Sequence, residues 1–277
     1  MILVTGATGN AGGGVARALV VAAAPVRGLL RDESQASKLP NGAEGAVGDL
    51  NRPETLAGPL EGVSAVFLLS GYDDMPDALA RMREAGVERV VLLSGSGASG
   101  GDPDNAIARY QIRSAGFVRD SGLPWTVLQP NSFMTNTYQW LPQLQAGDVV
   151  RAPFADVAVS VIDPYDIGAV AVPALTTAGH EGRTYRLSGP EALLPKQRLE
   201  ILGRVLGRDL RFEAQSNEEA RAEMLEAMPE PYVDAFFSFF VDGTVDETTV
   251  HPTVRKITGR DPHTFEHWAI AHADAFQ

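Results

Sequence analysis

The chain has no cysteine. Disulfides, thiolate metal centres and cysteine nucleophiles are therefore excluded. Lysine is scarce, limited to Lys38, Lys196 and Lys256, while arginine is common, a usage that fits a GC-rich bacterial source. Net positive charge is also missing: the formal balance is -12 at pH 7. Nucleic-acid binding is disfavoured on that ground, although an acidic total leaves room for a local basic pocket holding a phosphate. No apolar run is long enough to cross a membrane. Met1 leads directly into Ile2-Leu3-Val4 without a basic leader, so no signal peptide is expected and the cytoplasm is the expected location.

What is present is an alternating pattern in a chain of 277 residues, 44% of them hydrophobic. That suffices for one large domain, or a domain with a subdomain. Strands are expected at 2–6, 25–32, 45–50, 64–71, 89–97 and 124–130. Helices are expected at 12–24, 53–62, 73–87 and 108–122. Such alternation predicts an α/β, Rossmann-type doubly wound parallel sheet. After Pro130 the rhythm changes. Residues 131–144 are aromatic and amphipathic, 159–175 read as a strand then a helix, and 183–189 as a further strand. Asp163 is placed to cap that helix, with Pro164 at its first position and Asp166 three residues on. Ser216 and Glu219 form a capping box in a mostly helical tail. The expected division is a nucleotide-binding core over 1–131, rejoined by 157–189. A smaller, mostly helical substrate subdomain comprises 132–156 and 190–277.

Gly6, Gly9 and Gly12 form GxxGxxG between the first strand and the first helix. Gly6 permits the tight turn, Gly9 a close backbone approach, and Gly12 the packing of helix on sheet. Free N–H groups at the helix start favour an anion, and a dinucleotide pyrophosphate is the expected occupant. Thr8 and Asn10 belong to the same loop. Gly13 and Gly14 are surplus to the motif. The second strand ends LLRD, where Arg31 suits the 2′-phosphate of NADP and an acid would suit the ribose of NAD. NADP(H) is expected over NAD(H). Asp32 reads either as a helix cap or as a ribose ligand.

The ordered segments TGATGNAG, LLRD, GDLNRPETL, VFLLSG, VVLLSGSG, GLPWTVLQPNSFMTN and ITGRDPHTFEHWAIAHADAF resemble the NmrA-like branch of atypical short-chain dehydrogenases. That branch includes NAD(P)H:quinone oxidoreductases, reductases of plant phenolic pathways and redox-sensing regulators. The resemblance implies that Asp49 and Leu50 border the adenine, and that Leu69 and Ser70 touch the adenosine or the phosphate bridge. It places Ser94 near the nicotinamide ribose, with Pro130, Asn131 and Phe133 walling the nicotinamide. Ser96 matches the superfamily's catalytic Ser or Thr. The usual Tyr-xxx-Lys pair is absent: Ile107 and Gln111 hold those places, and neither is an acid or a base. Tyr110, beside Gln111, is the one side-chain acid nominated near the chemistry.

Hydride addition to a simple ketone leaves an alkoxide that needs a proton promptly. Addition to a quinone or enone leaves a stabler phenolate or enolate. The expected activity is therefore NADPH-dependent reduction of a quinone or a conjugated aromatic or polyketide-type molecule. A planar aromatic small molecule is the expected partner, in a pocket roofed by Phe133, Met134, Tyr138 and Trp140, with Phe236, Phe237 and Phe240 of the tail. Two alternatives stand: a non-catalytic NADP(H) sensor with a protein partner, and an auxiliary protein catalysing a non-redox step. His263 and His267 lie four apart but lack the zinc-protease glutamate, so no metal is expected.

Overall fold

The structure is a computed structural model describing residues 1–276. Its strands are β1 (Ile2–Val4), β2 (Val26–Leu30), β3 (Ala43–Val47), β4 (Ala65–Leu69), β5 (Arg89–Leu93), β6 (Trp125–Pro130), β7 (Val149–Ala152), β8 (Arg183–Leu187) and β9 (Arg211–Ala214). Seven of them form one sheet in the order β3-β2-β1-β4-β5-β6-β8, and every pairing is parallel. The order reverses between β1 and β4, so the crevice for a ligand opens at the carboxyl ends of those strands. β7 and β9 pair separately.

The helices are α1 (Asn10–Val21), α2 (Met75–Glu84), α3 (Ala106–Asp120), α4 (Leu141–Ala146), α5 (Pro164–Thr176), α6 (Pro195–Leu206), α7 (Asn217–Ala227), α8 (Glu230–Phe240), α9 (Thr253–Thr258) and α10 (Phe265–Ala271). Successive strand residues point to opposite faces, and both faces are covered, so the strands read as continuous apolar runs. Val4, Phe67, Val91 and Leu128 meet Val15, Leu19, Ile167 and Val170 of α1 and α5. Leu3, Val66, Leu68 and Val90 meet Leu79, Met82, Ala115 and Val118 of α2 and α3. The surplus Gly14 has its reason here. A Cβ on it would lie 2.9 Å from the Pro164 carbonyl, and one on Gly168 would lie 2.9 Å from the Gly14 carbonyl. The two glycines let α1 and α5 cross backbone to backbone.

Three expectations need correction. Residues 53–62 do not form an α-helix: Pro53–Leu56 is a single 3-10 turn, and Gly58 and Pro59 stop its extension. Residues 159–162 are buried but form isolated bridges only, Val159 with Leu193 and Ile162 with Phe133, because β8 occupies the place beside β6. Asp163 does cap α5, accepting from the Tyr165 N–H at 2.9 Å. Asp166, however, does not reach back to complete a box. It is fully buried and takes Arg260 Nη2 at 2.6 Å and the His263 N–H at 2.8 Å. That pair clamps the C-terminal segment onto α5. The Ser216–Glu219 box forms as expected. Gly116 in α3 faces open space, so no contact requires a glycine there.

Candidate cofactor and substrate site

Gly6 adopts φ +61°, and a Cβ there would come within 2.5 Å of Leu69 Cδ1. A Cβ on Gly12 would overlap the Gly6 carbonyl, whereas one on Gly9 would meet only the Gly6 oxygen at 3.4 Å. The absence of a side chain at Gly6 and at Gly12 therefore serves different needs: the first the turn, the second the helix–strand approach. Gly9 keeps an open backbone face toward the crevice. It is also the N-cap of α1 and supplies no side-chain cap, so first-turn amides stay free for an outside acceptor. A cavity of about 270 Å³ opens there, lined by Gly6, Thr8, Gly9, Arg31, Asp49, Leu50, Leu69 and Tyr72 among others. These residues fit an adenosine and pyrophosphate: glycine backbone under the phosphates, apolar Leu50 and Leu69 beside a base, and an exposed guanidinium at the rim.

Tyr72 was not anticipated, because nothing in its local pattern distinguishes it. Burial pushes its phenol above the ordinary value, opposed by the nearby Arg31 guanidinium. Asp32 caps the 3-10 turn Glu33–Lys38 through the Ser34 N–H at 2.8 Å, which makes it a cap and leaves the rim to Arg31. Asp49 is held in a turn by Asn51 N–H and Thr55 Oγ1, each at 2.9 Å. Asn10 leans away from the crevice floor toward Thr135 Oγ1 at 3.4 Å. A larger shallow depression on the outer side of α6, around Arg204 and Arg208, contains none of these features.

The other end of the site lies past β5 and β6. Ser70 follows β4 and donates its N–H to the Leu93 carbonyl. Ser94 follows β5 and is almost buried, its hydroxyl toward the Gln111 carbonyl at 3.4 Å. Pro130 ends β6, with Asn131 sealed behind it. The Asn131 amide donates to Ser160 Oγ at 2.8 Å and to the Glu247 carbonyl at 3.1 Å, while its Oδ1 has no partner. A buried amide oxygen without a donor is what the carboxamide or ribose of a nicotinamide nucleotide would satisfy. Phe133 is half-buried against the α1–α5 core.

Glu247 organises this end, and sequence reasoning missed it. Ser96 Oγ donates to Oε1 at 2.5 Å and Ser132 Oγ to Oε2 at 2.5 Å. A segment from the far C-terminal region thus ties the ends of β5 and β6 together. Gln111, at the sequence position expected for the lysine, packs against the loop after β5: a Cβ on Gly97 would lie 2.8 Å from its Oε1. Ile107 packs with Phe239 and Val245. Tyr110 lies against Gly71 beyond β4, with its Cδ2 3.5 Å from a Cβ built there. Burial raises its pKa, with Gln111 opposing and Tyr232 adding. It is set beside β4 and not among the groups gathered by Glu247.

The pocket roof needs revision. Met134 and Trp140 are sealed in the C-terminal core with Leu199, Leu202 and Trp268, because their 3-10 segment turns its apolar side inward against α6 and α10. Tyr138 stacks on Phe276 at 5.4 Å. The aromatic surface is built instead from Phe154, which stands 5.4 Å from Phe237 and 5.1 Å from Phe240. Phe154 holds φ +55°, an uncommon conformation for a bulky residue. The fold also brings Asp163 to His263 and His267, with potential ligand atoms within 4.8 Å of one another. Asp163 is spent on its cap and on His263 Nδ1 at 2.9 Å.

A doubly wound sheet with a glycine cradle at its switch point defines a nicotinamide-nucleotide-binding protein. Residues 6–176 match the NAD(P)H-binding family. The chain belongs to that NAD(P)H-binding family and is an NAD(P)H-dependent reductase. It is 41% identical over its whole length to (4-alkanoyl-5-oxo-2,5-dihydrofuran-3-yl)methyl phosphate reductase of Streptomyces griseus, covering 99% of that protein. It is 36% identical to the NAD(P)H azoreductase of Xenophilus azovorans, again over all of this chain and 99% of the relative. The fold matches the NADPH-dependent quinone oxidoreductase of Escherichia coli at a TM-score of 0.80 and 22% identity, covering 99% of this chain and 100% of the other. Among the described residues no helix is long and apolar enough to cross a membrane.

Proposed function

We propose that the protein uses NADPH to reduce a carbon–carbon double bond conjugated to a carbonyl, as in a quinone or an unsaturated lactone. One observation carries this reading. The place of the proton-donating Tyr–Lys pair is filled by Ile107 and Gln111, and the strand ends carry Ser96, Glu247 and Ser132 instead. Reduced nicotinamide, when bound, supplies a hydride equivalent. The acceptor's β-carbon takes it, and the electron pair moves onto the carbonyl oxygen as an enolate, which tolerates slow protonation. Water delivers the proton to the α-carbon of that enolate beside Ser96, whose hydroxyl Glu247 holds at 2.5 Å, completing addition of hydride and proton across the double bond and leaving hydroxide to the solvent. Asn131 Oδ1 orients the carboxamide, and Phe133 walls the ring.

NADPH preference rests on Arg31, whose guanidinium stands at the cavity rim beside Tyr72 and suits a 2′-phosphate. The relative from Streptomyces griseus is named for a dihydrofuranone, and such a ring is the acceptor class proposed here. The test is NADPH oxidation followed at 1:1 with product formation, offering an unsaturated lactone, a naphthoquinone and a saturated ketone. Turnover of the first two, with the ketone inert, is expected. Reduction of the ketone at a comparable rate would overturn the reading.

A further inference from the structure

Tyr72 stands in the wall of the cofactor cavity, and the reduction described above gives it no task. It follows β4 in a loop that is fixed at two points. The Ser70 N–H donates to the Leu93 carbonyl at 3.2 Å. The Gly71 N–H donates to Ser114 Oγ at 3.0 Å, and Ser114 is buried in α3. Gly71 takes φ +97°, a conformation that glycine adopts without strain. The turn this makes carries Tyr72 back to the crevice, with its ring half-buried against the core that contains Leu3 and Leu68.

The neighbours of the phenol define what its hydroxyl can do. Arg31 acts on it as a charge and as a hydrogen-bond donor, and burial keeps it protonated at neutral pH. A guanidinium has no acceptor, so the phenol oxygen accepts and its own O–H stays free to donate. Asp49 shares the cavity wall but is already used: one oxygen accepts from the Asn51 N–H at 2.9 Å and the other lies 3.5 Å from Arg52. Two donors, one charged and one neutral, therefore stand together at one rim of the cavity. A phosphate offers only acceptors to such a pair, whereas a ribose hydroxyl offers one oxygen and brings a donor of its own.

We propose that Tyr72 is a specificity-determining residue of the cofactor site, its hydroxyl donating to the 2′-phosphate of NADPH while its oxygen holds the Arg31 guanidinium in place. This rests on the reading that NADPH is preferred. The adenine does not need the phenol, since Leu50 and Leu69 supply apolar walls beside a base. Discrimination between the two nicotinamide nucleotides is therefore shared between a residue at the end of β2 and one in the loop after β4. The second is set by the Gly71 turn and the Ser114 hydroxyl, and so by the packing of α3.

The test is calorimetry on the full chain with 2′,5′-ADP and 5′-AMP, which share adenine and ribose and differ by the 2′-phosphate alone. The wild-type protein should bind 2′,5′-ADP at least about 100-fold more tightly. Tyr72→Phe keeps the ring and removes the hydroxyl. It should weaken 2′,5′-ADP about 10-fold and leave 5′-AMP within about 2-fold. An equal fall for both nucleotides would make Tyr72 a structural or stacking residue and overturn the proposal. So would an undiminished margin in Tyr72→Phe. The reading beneath it is tested separately by the wild-type protein: without any margin there, NADPH preference itself fails and the proposal with it. A wild-type margin that Arg31→Ala erases and Tyr72→Phe leaves intact would keep the preference and reject Tyr72 alone.

Discussion

The two ends of the crevice are built on different principles. The nucleotide end is made of backbone: three glycines, free helix amides and one rim guanidinium, all within the first 72 residues. The reacting end is made of side chains carried in from distant segments. Ser96 and Ser132 meet Glu247 across separations of 151 and 115 residues. A backbone cradle recognises what every nicotinamide dinucleotide shares. A side-chain cluster can change one residue at a time without disturbing the sheet, so reactions can vary while the cofactor is kept.

That contrast can be broken most severely at the cradle. Gly12→Val would drive a side chain into the Gly6 carbonyl, and loss of NADPH binding by at least about 100-fold is expected in a calorimetric titration, together with a lower melting temperature. At the reacting end, Glu247→Gln should lower kcat about 100-fold with little change in the KM for NADPH, because the Ser96 hydroxyl is no longer held by a carboxylate and the cradle is untouched. An equal fall in NADPH affinity would show that Glu247 is structural. Arg31→Ala should reduce the NADPH over NADH preference about 30-fold, read from the ratio of their kcat/KM values.

The remaining tests are smaller. Asp166→Ala removes the buried partner of Arg260. Breaking a fully buried pair costs about 3–5 kcal/mol, but Arg260 is a third exposed and can rehydrate, so about 2 kcal/mol is expected from urea denaturation. Burial, which outweighs its hydrogen bonds and Arg260, raises the Asp166 pKa above 3.8. The protonated form is thus favoured in the fold. Its stabilising contribution is present below pH 3.8 and is lost as pH rises through the raised value. Asp166→Asn should flatten that part of the stability profile. Tyr110→Phe should change kcat by less than about 3-fold, since the tyrosine lies beside Gly71 and outside the Glu247 cluster. A fall approaching that of Glu247→Gln would restore Tyr110 as the proton donor.

The same contrast governs what could be read in advance. The glycine loop is local: strand, turn and helix start fall within a dozen residues, and each glycine has its own steric reason. The parallel sheet was legible because strand and helix patterns alternate. Residues 53–62 misled because their apolar spacing suits a helix while Gly58 and Pro59 end it. Val159–Ile162 misled because a buried apolar run reads as a strand whether or not an edge is free to pair. Glu247 was not legible at all. It sits in an irregular segment among Asp242 and Asp246, and only the fold distinguishes it by bringing two serine hydroxyls to it. Met134 and Trp140 show the converse, since aromatic and thioether side chains after a sheet suit a pocket and a core equally until their burial is known.

The central claim is that hydride goes to carbon of a conjugated double bond. It is tested most directly by running the reaction with NADPH deuterated at the transferring position and reading the product of an unsaturated lactone by NMR. Deuterium on the carbon β to the carbonyl, with the carbonyl intact, is the predicted result. Deuterium on the former carbonyl carbon, or cofactor that stays reduced in the presence of every acceptor, would contradict the account.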